Sequence, residues 1–332
     1  AVTLVFIDST QGWLVTDSGL QDEAPTPQYI AATGGTVTTV CTNFKVHAFT
    51  GPGTFCVSAV GNGAGSNTVD YLVVAGGGGG GNGRSGAGGA GGLRIGAVTA
   101  SPCHSPLVAP GGLPVSAQGY SIVVGAGGST PGSGAVSTFS TITSAGGGGG
   151  GCGGSNACGV AGGSGGGNGV DSGGPARTSG AAGNTPPVSP PQGNPGGGTI
   201  PVAGGEGGGG GGGATAAGSP QPADRTGGPG GAGLAVTPVF GASPQPFYQA
   251  NVSGTGNTAC GSFAGGGGGG GTPSGGHASS GGAGGGAGGS YGTNAIVNAT
   301  TNSGGGGGGG GCGPVGGTNG GSGIVLIRYK FQ

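Results

Sequence analysis

The sequence predicts an all-β protein organised around a bundle of polyglycine II helices, with an N-terminal antiparallel β region and essentially no α-helix. Three stretches carry this reading. TVDYLVVAGGGGGGNGRSGAGGAGG, residues 68 to 92, passes from a run of Val, Leu and Tyr into six glycines without a turn signal. The same change of texture recurs in VSTFSTITSAGGGGGGC, residues 136 to 152. At the C-terminal end GGSGIVLIRYKFQ, residues 320 to 332, reverses it, converting polyglycine back into an apolar strand.

Residues 68 to 75 suit a pleated, mostly buried strand. The glycines that follow have no side chain to pack, and in a helix each would cost about 1 kcal/mol relative to Ala. With 103 glycines and 23 prolines in 332 residues, composition alone leaves low-complexity disorder open. The conformation available to an ordered glycine run is polyproline II, with about three residues per turn and no internal hydrogen bonds. Its amides point outward, so such helices must lie side by side and exchange N–H···O=C bonds. Contiguous glycines, in place of one at every third position, argue against collagen.

Before the first glycine tract, residues 1 to 66 have near-normal composition and form the expected N-terminal β region; residues 67 to 332 form the expected glycine-rich domain. Strand candidates are 2 to 7, 13 to 16, 37 to 41, 44 to 50 and 54 to 60, the last three read as a meander. Alternation in FKVHAF puts Phe44, Val46 and Ala48 on one face and Lys45, His47 and Phe49 on the other, with His47 expected to face solvent. DSGLQDEAPTPQ, residues 17 to 28, reads as a surface loop or linker.

Glycine tracts near 76–92, 146–154, 162–175, 204–213, 227–233, 265–271, 281–289 and 304–313 give eight candidate rods separated by loops. The spacing is too irregular for a solenoid. The terminal strand needs a partner, and Tyr71 to Ala75 is the natural one, closing the glycine-rich region into one sheet with the rods as an insertion. Arg328 and Lys330, alternating with Ile327 and Tyr329, are expected on a half-buried strand.

Seven basic and eight acidic residues, a net charge of −1, give no electrostatic footprint for nucleic acid or an anionic membrane. No run is long enough to span a bilayer, and residues 1 to 15 lack the features of a signal peptide. The opening AVTLVFIDST, already a strand, suggests a processed chain or the tail of a longer one. The seven cysteines show no zinc-ligand spacing, so no metal or cofactor is expected. Cys152 and Cys158, in GCGGSNACG, are close enough in sequence to form a disulfide.

Catalytic patterns are weak throughout. Matches to GxGxxG are chance products of the glycine runs, and there is no P-loop lysine. Asp171, Glu206 and Asp224 are isolated in glycine-rich loops, and the neighbours Cys103 and His104 sit in a proline-flanked loop. No enzyme is expected. The aromatic residues are more informative: VTPVFGASPQPFYQANVSGTGNTACGSF, residues 236 to 263, holds Phe240, Phe247, Tyr248 and Phe263 with polar Gln249, Asn251 and Asn257, and Tyr291 opens another loop. Such a mixture suits recognition of a sugar or protein surface, or alternatively a small core capping the bundle. GNTPPVSPPQGNPGGG, residues 183 to 198, is a semi-rigid binding loop or a spacer.

Taken in order, TVDYLVVAGGGGGG, GGAGGLR, YSIVVGAGG, FSTITSAGGGGGG and GGSGIVLIRY resemble the Gly-rich domain of tail-fibre and related virion proteins of tailed bacteriophages, over residues 68 to 331. FKVHAFTGPGTFCVSAVG is similar to the strand module that precedes that domain, and VTLVFIDSTQGW to the end of a fibre segment. More distantly, the layout resembles the adhesins at the tips of T-even-type long tail fibres, where packed polyglycine II helices present receptor-binding loops. The resemblance implies a virion protein, often a homotrimer, that contacts other tail proteins and a host glycan or outer-membrane protein. Two other expectations compete with it: a structural subunit of an extracellular filament or of a capsid or tail, and an ice-binding protein, for which the loops are too irregular.

Overall fold

The computed structural model describes residues 4–8, 12–15, 26–97, 107–154, 157–171, 177–200, 207–222, 225–248, 261–272, 277–284, 286–290, 297–312 and 316–332. Its strands are β1 (Leu4–Asp8), β2 (Gly12–Val15), β3 (Ala31–Thr33), β4 (Thr36–Val40), β5 (Phe44–Phe49), β6 (Gly53–Ala59), β7 (Thr68–Val74), β8 (Leu93–Ala97), β9 (Val108–Pro110), β10 (Leu113–Pro114), β11 (Gly119–Val123), β12 (Ser137–Phe139), β13 (Ile142–Ser144), β14 (Leu234–Ala235), β15 (Ser262–Phe263) and β16 (Ile324–Lys330). The helical content of the described residues is one turn, Thr237–Phe240.

β16 is the keystone. It pairs antiparallel with β7, Ile324 opposite Val74 and Arg328 opposite Asp70, which is the closure the sequence predicts. Its other edge pairs with β5, Val325 opposite Phe49 and Lys330 opposite Phe44. The resulting sheet runs β4-β5-β16-β7-β8-β9, with β10 also on β7. Because β5 belongs to this sheet, the division expected at residue 66 does not separate two folding units; the N-terminal strands and the glycine-rich chain share one sheet. The expected meander is also broken, since β6 leaves β5 for a second sheet ordered β13-β12-β11-β6-β3.

The first sheet is covered on both faces. On one, Val73, Tyr71, Val325, Ile327 and Tyr329 pack against Phe55, Val57, Ile122 and Phe139 of the second sheet. On the other, Leu72, Val74, Ile324 and Leu326 pack against Val236, Val239, Phe240, Phe247 and Phe263. Two expectations fail for this reason. His47 is fully buried, with Nδ1 donating to the Gly34 carbonyl at 2.7 Å, Nε2 3.1 Å from the Tyr329 hydroxyl and its ring edge-on to Phe55 at 5.1 Å. Arg328 is likewise buried, donating through Nε (2.8 Å) and a terminal nitrogen (2.5 Å) to Asp70 and to the Val239 carbonyl, with Phe44 stacked at 4.6 Å. The period-two alternation holds; a middle layer has no solvent face.

Six strand ends meet the glycine rods, and there pleated pairing gives way to a three-residue rule. In the rod 85–92, residues 85, 88 and 91 donate to 310, 307 and 304; residues 86, 89 and 92 donate to 151, 148 and 145; Ala87 and Ala90 donate to 209 and 212, all at 2.8 to 3.0 Å. The same rod accepts from 75–81, from 164–167 and from 267–270. Three donor directions alternating with three acceptor directions give six neighbours, the hexagonal packing of polyglycine II. The rod 75–81 is bonded in the same way, Ala75, Gly78 and Gly81 reaching 92, 89 and 86. The tract 76–92 is therefore two antiparallel rods joined at Asn82–Arg84, where Gly83 and Arg84 take positive φ of 62° and 46°.

A Cβ built on Gly88 would stand 2.0 Å from the Gly78 oxygen and 2.5 Å from its carbon. Gly88→Ala is expected to lower stability by about 3 kcal/mol or more, because backbone and not a flexible side chain must yield. Gly51→Ala, where a Cβ meets nothing within 4 Å, should be near neutral in the same denaturant titration. Burial, with a smaller contribution from Lys45, holds the His47 pKa below its ordinary value. The unfolded chain thus binds the extra proton first: this stabilisation is complete above about pH 6.5 and is lost as pH falls toward the folded value. A His47→Gln variant should show a flatter stability profile between pH 7 and 5.

Candidate functional site

The rods give the glycine-rich domain two ends. One adjoins the sheets, where β7, β11 and β13 enter the lattice and β8, β12 and β16 leave it. The other is remote, and successive connections alternate between the two because each rod reverses the last. The sheet end receives the connection 184–192 and residues 234–248 and 261–263. At the remote end lie Asn82–Arg84, residues 152–154, 170–171 and 177, Thr199, residues 222 and 225, Thr272, His277 and Cys312.

Hydrogen bonds tie these connections into one surface. Gly153 N–H donates to the Asn82 carbonyl at 3.0 Å, Val170 N–H to the Arg84 carbonyl at 3.0 Å, and Thr199 N–H to the Arg177 carbonyl at 2.8 Å. Thr272 N–H donates to the Arg225 carbonyl at 3.1 Å and Gly227 N–H to the His277 carbonyl at 2.9 Å. Gly317 N–H reaches the Asn82 side-chain oxygen at 3.0 Å. The Arg177 guanidinium donates to the Cys158 sulfur at 2.8 Å and lies 3.4 Å from the Asp171 carboxylate, both side chains about a quarter exposed. Among the described residues no cluster of His, Cys, Asp and Glu could hold a metal ion.

Charge marks the remote end. Between residues 98 and 323 the charged residues are Asp171, Arg177, Glu206, Asp224 and Arg225. Those among them that the structure describes, Asp171, Arg177 and Arg225, are all at that end, as is Arg84. Glu206 and Asp224 lie outside the described residues. The described sheet-end residues 184–192, 234–248 and 261–263 carry no charge.

The residues singled out from sequence are placed differently. Phe240, Phe247 and Phe263 are 0%, 4% and 1% exposed, in the core cluster beneath the first sheet. Tyr248 packs edge-on to Phe247 at 4.8 Å, donates its hydroxyl to the Gly241 carbonyl at 2.8 Å, and has its pKa pushed up by burial. These four form a cap on the sheet, which removes them from the recognition surface. Gln249, Asn251 and Tyr291 lie outside the described residues. Cys152 and Cys158 are free thiols, so the disulfide expected between them is absent; Cys152 accepts from Asn82 N–H at 3.4 Å while Cys158 is held by Arg177. The signal that could have located the remote end is parity: counting rods out and back puts the charged connections together.

A family model described as a glycine-rich domain matches residues 49–330. No curated protein matches the chain. The match begins inside β5 and ends at the last residue of β16, so it takes in the sheet closure as well as the rods.

Phe247→Ala should cost about 3 to 5 kcal/mol in chemical denaturation, as for a large aromatic removed from a packed core. Ligand binding per folded molecule should be unchanged, which is the outcome that separates a cap from a contact residue.

Proposed function

We propose that this chain, which belongs to the glycine-rich domain family, is a structural protein of a tailed-bacteriophage virion, a tail-fibre or spike segment that presents the remote end of its lattice to the host surface. The observation that carries this reading is the gathering of charged and polar side chains in the remote-end connections, while the sheet-end aromatics Phe240, Phe247 and Phe263 are used up in the core. Polyglycine offers a partner only backbone and Cα hydrogens, so discrimination between receptors falls to the connections. Fixed guanidinium groups beside carboxylates and amides suit the polar surface of a glycan or an outer-membrane protein. Part of the support is resemblance: the order of strand and glycine elements resembles that of phage fibre domains.

A second reading, a structural subunit of a filament or virion without receptor contact, is favoured by the hairpin β1–β2. Its Val5, Phe6 and Trp13 are 46%, 53% and 67% exposed, and a two-stranded hairpin is marginal alone in water. That hairpin suits assembly with neighbouring tail proteins or with copies of this chain in a homotrimer.

Labelled protein should adsorb to host cells and compete with infection, and light scattering should give its oligomeric state. An Arg84→Ala/Arg177→Ala double variant should weaken adsorption by about tenfold, roughly 1.4 kcal/mol. Failure of the wild-type chain to adsorb to any host or to compete would remove the receptor role and leave the structural reading standing.

A further inference from the structure

Three adjacent rods, 193–198, 218–222 and 227–233, form one outer face of the lattice. The middle one is outermost. Gly218 and Gln221 donate to the Pro195 and Gly198 carbonyls at 3.0 and 3.1 Å, and Ser219 donates to the Pro229 carbonyl at 2.9 Å. A rod with three residues per turn emits its amides along three directions. Here residues 218 and 221 take one and 219 the second, both toward neighbours. The third points away from the bundle and belongs to Pro220, which is exposed.

The flanking rods repeat the arrangement. In 193–198, Asn194 and Gly197 donate to 213 and 210 at 3.1 and 2.7 Å, and Gly196 to 181 at 2.9 Å; the remaining direction belongs to exposed Pro195 and, at the end of the rod, to Gly198. In 227–233, Gly227 and Gly230 donate to 277 and 280 at 2.9 and 3.1 Å, and Gly228 and Gly231 to 208 and 211 at 2.8 and 2.9 Å; the remaining direction belongs to exposed Pro229 and, three residues on, to Ala232. A further layer of rods on this face would require a hydrogen bond from each of these residues. Pro195, Pro220 and Pro229 have no N–H to give, which leaves Gly198 and Ala232, at the rod ends, as the donors in that direction.

We propose that this proline face terminates the lattice, preventing a glycine rod of a second copy of the chain from adding to the bundle. The hazard is the one an open β-sheet edge presents, a row of backbone groups that templates pairing with another chain, and proline is a known means of blunting such an edge. A polyglycine surface is more exposed to it than a sheet, because identical rods fit any vacant lattice position. Elsewhere in the described rods proline occurs only at Pro222, at the remote end of the same outermost rod. The prolines therefore take one outward donor from each rod of the face while lattice order inside it is undisturbed.

The test is a Pro195→Gly/Pro220→Gly/Pro229→Gly variant of the full chain, followed by sedimentation velocity and light scattering over a wide concentration range. The expected result is a mean mass rising at least twofold above the wild-type value as concentration increases, with amide 220 becoming protected from hydrogen exchange in the associated form. Pro131→Gly, in a turn off this face, should leave the mass unchanged. A triple variant with wild-type circular dichroism and wild-type mass at every concentration overturns the proposal. So does a fall in melting temperature without association, which would mean that the prolines only restrict the unfolded chain. If the triple variant does not fold, Pro220→Gly alone is read by the same two criteria.

Discussion

The structure depends on one constraint: a glycine amide removed from water must find a carbonyl, and a rod without internal hydrogen bonds can find it only on another rod. The rods approach so closely that a Cβ on Gly80 would stand 1.9 Å from the Gly308 oxygen, and one on Gly211 1.9 Å from the Gly88 oxygen. Glycine is required here for its size. Fixing each backbone costs about 1 to 2 kcal/mol and glycine loses the most freedom, so a lattice with unpaired interior amides would not form. Order in one rod is conditional on order in its neighbours.

Such a lattice has no nucleus of its own, and the sheets supply one. β7, β8 and β16 fix the entry points and directions of three central rods, and Ala75 N–H extends the β7–β8 pairing by bonding Gly92 at 3.0 Å. At the change from pleat to rod, backbone groups lose their ladder partners and buried side chains replace them. Ser137 donates its hydroxyl to the Val74 carbonyl at 2.8 Å and Ser144 to that of Val73 at 2.8 Å. Gln192, 1% exposed, accepts from Ala145 N–H at 2.8 Å and donates to the Pro186 carbonyl at 2.8 Å. Polar side chains buried in a protein so short of them sit where two hydrogen-bonding geometries meet.

Much of this was legible in the sequence. The strand-to-glycine texture marks β7, and the terminal apolar run identifies its partner, because a strand as apolar as Ile324 to Ile327 cannot stand at an edge. Polyglycine II follows from the lack of any other ordered state for contiguous glycines. The burial of His47 and Arg328 was not legible, since alternation reports which side a residue faces and says nothing of what covers that side; the partner Val239 that meets Arg328 lies far along the chain. The count of rods was also short, because a three-residue turn such as Asn82–Arg84 leaves little trace inside a glycine-rich tract, and mixed segments such as 193–198 and 218–222 join the lattice with few glycines in a row.

The site was misjudged for a related reason. An aromatic cluster in a sequence with 16 aromatic side chains reads as a recognition surface when nothing is known of what it adjoins, and Phe240, Phe247 and Phe263 adjoin a sheet face that needs covering. Scarcity works the other way: a chain with so few apolar side chains spends them on its core, and its surface character is set by the charges that remain. In a lattice of rods that alternate in direction, whether a connection lies at the sheet end or the remote end depends on the parity of the rods before it. Charged residues far apart in sequence, Arg84, Asp171, Arg177 and Arg225, thereby come to one surface.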